Sequence, residues 1–125
     1  MKAGALVRGA VTALALIAIA QPSFARNPHC AGGIQYVVQA LRDKDKGNHE
    51  DYRREISKAV QQLEQCAGED PNDFESIAYQ GWAYAEVESA GPAGRAFDTS
   101  IAGLKQKGDK KKAEWAENNR QSYWA

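Results

Sequence analysis

Between Ile77 and Ser100 the chain places Gly81, Tyr84, Ala93 and Phe97 at the offsets G-x2-Y-x8-A-x3-F, and this spacing restricts the fold more than any other stretch. A glycine inside a helical pattern lets a second helix come close, a small residue suits the crossing point, and two aromatics fill the space on either side. The spacing therefore predicts two antiparallel helices joined by a short turn. The packing positions that this spacing marks are Gly81, Tyr84, Ala93 and Phe97.

With Gly81 in register, these positions resemble the tetratricopeptide repeat, a helix-turn-helix unit of about 34 residues, over residues 74–107. Ile77 takes the family's tryptophan slot and Ser100 its later small slot, while Gln80 and Lys105 depart from the family's leucine and proline. The resemblance implies an all-α fold of stacked antiparallel hairpins, about four helices closed by a C-terminal capping helix. In that family the first helix of each repeat lines a concave surface that holds peptides or partner helices. By that resemblance Glu75, Trp82 and Glu86, on the outward side of the third helix, are the candidates for partner contact. A plainer reading of Trp82 is that it packs against a neighbouring helix, because aromatics at helical spacing commonly serve the core.

The N-terminus bears on the compartment. Lys2 and Arg8 precede an uncharged apolar run from Ala10 to Ala20, and Ser23-Phe24-Ala25 offers the small residues that a signal peptidase reads. We expect residues 1–25 to be a cleaved signal peptide and residues 26–125 to form one exported domain, periplasmic or extracellular. The apolar run is well short of the ~20 residues needed to span a bilayer, so no stable membrane insertion is expected after cleavage.

Removing Lys2 and Arg8 from the 16 basic residues leaves 14 against 16 acidic ones, a net charge of −2. That balance provides no basic footprint for nucleic acid, and Lys110-Lys111-Lys112 reads as a solvated helix start. A domain of this size buries a marginal core and benefits from a staple. Cys30 and Cys66 supply one in an oxidising compartment. Closing so long a loop removes roughly 4 kcal/mol of unfolded-state freedom in the chain-entropy model.

Along the mature chain, Ile34, Val37, Val38 and Leu41 recur at helical spacing, and Gly47-Asn48 offers a stop followed by a new cap. Asn48 with Asp51 resembles a capping box ahead of the stripe Tyr52, Ile56, Ala59, Val60 and Leu63, in a helix ending near Gly68. A Cys30–Cys66 bridge would then join the start of the first helix to the end of the second. Asp70-Pro71 reads as the start of a third helix running towards Glu88, Ser89-Ala90-Gly91-Pro92 as a turn, and Ala93 to Leu104 as a fourth helix stopped by Gly108. Asp109 caps a fifth helix through Trp115 to about Tyr123. This helix closes the stack, or leaves Tyr123 and Trp124 as an exposed end for a partner. Ile56-x3-Val60-x2-Leu63 echoes Ala93-x3-Phe97-x2-Ser100, and the first helix is read as carrying no match to Gly81-x2-Tyr84.

Catalysis has little to stand on. His29 and His49 belong to no nucleophile, base or zinc motif, and Glu86 and Glu88 project in different directions from a helix. We expect no enzyme, no cofactor and no metal. The expectation is an exported helical module that binds a protein or peptide segment. Its rivals are a small-molecule carrier or metal-handling bundle, and an envelope protein that self-associates as a homo-oligomer to complete its own stack.

Overall fold

A computed structural model describes residues 26–124; the expected signal peptide and its cleavage point lie outside the described residues. Five α-helices follow one another: α1 Pro28–Asp45, α2 His49–Glu69, α3 Phe74–Glu86, α4 Ala90–Gln106 and α5 Lys110–Trp124. The chain is all-α with one disulfide, as its periodicity and cysteines require.

Local chemistry sets the helix ends. Asn27 Oδ1 accepts from the backbone N–H groups of His29 and Cys30, and Pro28 stands at the first helical position, so α1 begins with its free donors occupied. Asp73 and Asp109 do the same for Ser76 and Lys112 at the starts of α3 and α5. Gly47 and Gly108, with φ of +81° and +82°, end α1 and α4 in the left-handed conformation that glycine adopts without a steric penalty.

Two expected boundaries move, and one expected cap bond is not made. Asp70-Pro71 does not open α3: these residues form the turn, and Asp73 is the cap. Gly91 and Pro92 are not a turn but lie in the first turn of α4, where the missing proline N–H has no intrahelical partner to lose. The turn itself is Val87 to Ser89, with Glu88 at φ 60°. Asn48 makes no side-chain cap for α2; its amide donates instead to Asp43 Oδ1 at 3.4 Å.

The helices pair as two antiparallel hairpins, α1 with α2 and α3 with α4. Disulfide Cys30–Cys66 joins the outer ends of the first pair across a Cα separation of 4.7 Å. In the second hairpin a Cβ on Gly81 would stand 2.8 Å from the Phe97 ring, so the glycine is what allows α3 and α4 to meet there. Gly33 has the same relation to Leu63 in the first hairpin. This corrects the register of the internal echo: Leu63, not Val60, stands where Phe97 stands, and Gly33-x2-Tyr36 answers Gly81-x2-Tyr84. Ala59 then matches Ala93, and Cys66 matches Ser100, all four buried. The first hairpin is longer at its turn end by seven residues in each helix, 39–45 in α1 and 49–55 in α2, about two helical turns.

α3 is the central element, packed against all four of the others. Two apolar clusters flank it, one built around Val37, Ile56, Leu63 and the disulfide, the other around Ala78, Leu104, Ala113 and Ala116. Phe97 is wholly buried between α3 and α4, and Ser100, also wholly buried, satisfies its hydroxyl by donating to the Phe74 carbonyl at 2.6 Å.

A paired substitution tests the close approach. Gly81→Ala forces a methyl group against an immobile Phe97 ring and should cost about 1–3 kcal/mol. Gly94→Ala, in the interior of α4 with no atom within 4 Å of the new methyl, should gain roughly 0.5–1 kcal/mol. Urea denaturation of the two variants should move in opposite directions from wild type.

Candidate partner-binding face

On α3, Glu75, Tyr79, Trp82 and Glu86 recur at intervals of four, three and four residues and so form one stripe. Contacts at both ends of this stripe show that α1, α3 and α5 run in the same direction. At the N-terminal end, Glu75 Oε1 pairs with Arg26, just before α1, at 2.7 Å and with Lys112 of α5 at 3.2 Å. At the C-terminal end, Glu86 Oε1 pairs with Lys44 of α1 at 3.0 Å, and Tyr52 of α2 donates to it at 2.5 Å. Tyr123 of α5 donates to the other oxygen, Oε2.

Between these charged ends lies an aromatic group. Tyr79 and Trp82 stack nearly parallel, with centroids 5.8 Å apart and planes 15° apart, and Trp115 of α5 meets Tyr79 at 5.3 Å, tilted by 51°. All three rings are half-buried, Tyr79 and Trp82 resting on the first apolar cluster and Trp115 on the second. α1 and α5 thus flank α3, the α1 side tied to it by salt bridges at both ends, and α5 by a salt bridge at one end, the Tyr123 bond at the other and the Tyr79–Trp115 contact between them.

The three residues expected to face a partner differ in what they present. Trp82 lies on the shared face, partly exposed and partly packed against the core. Glu75 is bridged on both sides. Glu86 does not stand at an open rim as expected: its side chain is 5% exposed and tied to three donors. The reason is the longer first hairpin, whose extra turns supply Lys44 and Tyr52. Tyr79 and Trp115 belong to the face although Tyr79 was not singled out by the sequence and Trp115 was read as part of the closing helix. The i, i+4, i+7, i+11 spacing of Glu75, Tyr79, Trp82 and Glu86 was the signal for Tyr79.

The charges follow from these contacts. Burial alone would push the Glu86 carboxyl up, but donors from Tyr123, Tyr52 and Lys44 outweigh it and hold the group below the ordinary 4.5. Glu75 is likewise pushed up by burial and drawn below 4.5 by Arg26 and Lys112. Tyr84, across α3 from this face, is raised to about 12, by burial first and then by its 2.6 Å bond to Glu64.

Other expected positions are accounted for separately. Tyr123 is half-buried on Glu86, whereas Trp124 is 45% exposed, with the edge-to-face partner Phe97 beneath it and the Arg120 guanidinium over its ring. His29 pairs with Glu69 at 2.9 Å. Cys30 and Cys66, whose sulfurs lie within 4.8 Å of an Asp73 carboxylate oxygen, are bonded to each other rather than free as thiolate ligands.

The Glu86 clamp has a defined stability signature. Its folded pKa is lowered, so its contribution is complete above the ordinary 4.5 and is lost as pH falls through the folded value. Tyr123→Phe should cost about 1.5–3 kcal/mol near neutrality, and thermal unfolding should show this difference shrinking as the pH falls below 4.5 and through the folded value. A difference that stays the same after the Glu86 carboxyl has been seen to take up its proton would mean that the carboxylate is not its source. No family model, curated protein or solved structure matches the chain, so the reading of this face rests on its own geometry.

Proposed function

We propose that the chain is an exported, tetratricopeptide-like interaction module that binds a segment of another protein on the face shared by α1, α3 and α5. The observation that carries this reading is the Tyr79, Trp82 and Trp115 group, three large rings left partly accessible at the centre of that face. Aromatic anchors of this kind contribute much of the energy of many interfaces because one side chain removes a large area from water. Glu75 and Glu86 are neutralised within the chain, so recognition at the centre is apolar rather than ionic. The partner supplies an extended or helical segment with an apolar side chain that seats against the rings.

Export is supported by the buried Cys30–Cys66 bridge, since disulfides persist in oxidising compartments. Among the described residues no helix is long and apolar enough to cross a membrane.

Cross-linking in the envelope fraction, with wild type compared to Trp82→Ala and Trp82→Phe after circular dichroism has shown equal helicity, tests the proposal. A bound protein retained by Trp82→Phe and weakened about 30-fold or more by Trp82→Ala is the expected result, the effect of removing an anchor worth about 2 kcal/mol. Capture of the same protein by all three forms would remove Trp82 from the interface and this face from consideration.

A further inference from the structure

The extra turns of the first hairpin hold an acidic pair, a buried Asp43 and a half-buried Glu55, that the partner-binding face does not use. Asp43, in the last turn of α1, is 7% exposed and, among the described residues, makes no ion pair. Its oxygens receive only neutral donors, Gln39 Nε2 and Asn48 Nδ2, both at the long distance of 3.4 Å. A carboxylate here also opposes the negative end of the α1 dipole. Across the hairpin stands Glu55 of α2, within hydrogen-bonding reach of Asp43, and its Oε1 is shut off from solvent with no donor. Two ionised carboxylates in this position would leave one buried charge without a counter-ion and one buried oxygen without a partner. A single proton removes both defects, because Glu55 then donates to Asp43.

We propose that Asp43 and Glu55 share one proton and form a pH-sensitive latch for the extra turns of the α1–α2 hairpin. Loss of the proton places two like charges side by side and loosens the turns that contain them. Lys44 and Tyr52, which hold Glu86 from the α1–α2 side, stand in those same turns, so opening the latch releases the clamp at the end of α3.

The surroundings do not cancel the effect. Asp51 and Arg54 of α2 face the pair but are bonded to each other at 2.7 Å, and Lys46, in the turn after α1, acts on Asp43 only through space. Arg42 lines the same surface cleft as Glu55, Gln35 and Gln39, and is exposed to solvent at its edge. On the α3 side, Glu86 is already occupied by Lys44 and the two tyrosines.

The two groups shift in opposite directions. Burial, followed by the bond to Asp43, pushes Glu55 above the ordinary 4.5, so its contribution is complete below that value and is lost as pH rises through the folded pKa. The bond from Glu55 holds Asp43 below its ordinary 3.8, so that contribution is present above 3.8 and lost on strong acidification. The hairpin end is therefore tightest in mild acid, between the two folded values.

Carbon-13 titration of the Glu55 carboxyl in the disulfide-intact mature chain tests the pair directly, and amide exchange over residues 44–55 tests the latch. Glu55 should titrate above the ordinary glutamate value. Between 4.5 and that midpoint amide opening should increase by up to tenfold per pH unit, and it should level off above the midpoint, after correction for intrinsic exchange. Glu55→Gln, which keeps a donor for Asp43 but cannot ionise, should abolish the increase. A Glu55 midpoint at or below 4.5, or the same pH dependence of exchange in wild type and Glu55→Gln, would overturn the proposal.

Discussion

The rest of the architecture depends on two close approaches, Gly33 against Leu63 and Gly81 against Phe97. Each lets a pair of helices meet at a point where a Cβ would hold them apart, and each brings a wholly or almost wholly buried side chain over the glycine. With the pairs this close, the remaining contacts can be made by small residues. Ala40, Ala59, Ala78, Ala83, Ala93, Ala113 and Ala116 are all buried. A core of alanines offers little apolar area per residue, and the disulfide at the outer end of α1–α2 offsets part of that deficit by restricting the unfolded chain.

α3 touches all four other helices, and the residues of its Glu75-to-Glu86 stripe either find partners in them or stay partly open to solvent. Glu75 and Glu86 take the first course and Trp82 the second. The bridges at Glu75 and Glu86 link α3 to both flanking sides of the molecule, to the α1–α2 hairpin through Arg26, Lys44 and Tyr52 and to α5 through Lys112 and Tyr123. The aromatic group between them is held on a supported frame. A surface ordered before it meets a partner loses less side-chain freedom on binding.

Much of this was legible in the sequence. The helical periods, the stops at Gly47 and Gly108 and the cysteine placement each rest on local chemistry, and the five helices and one disulfide follow from them. The starts of α3 and α4 were harder to read, because Asp-Pro and Gly-Pro pairs suit a turn as well as a helix start, and tertiary packing decides between them. The first hairpin was misregistered for a different reason: Gly33 and Leu63 are thirty residues apart where Gly81 and Phe97 are sixteen apart, so a fixed-spacing comparison cannot align them. The fate of Glu86 was out of reach. Nothing local to α3 announces that Tyr52, Lys44 and Tyr123, distant in the chain, converge on it.

Adding seven residues to each helix of a hairpin is a conservative way to lengthen it. Seven residues come to nearly two full turns, with a drift of about 20°, so the faces that meet in the shorter part continue to meet in the longer one. The sequence continues the core in the added turns through Ala40 and Leu41 and gives most of their other positions to polar groups. Gln39, Asp43, Lys44, Tyr52 and Glu55 all fall within 39–45 and 49–55, stretches without a counterpart in α3–α4. Had stability been the only demand, apolar side chains would have served better, since a buried acid needs a proton or a counter-ion and an apolar residue needs neither. The added turns therefore contribute what the repeated part of the hairpin cannot: a clamp on α3 whose own footing responds to protons.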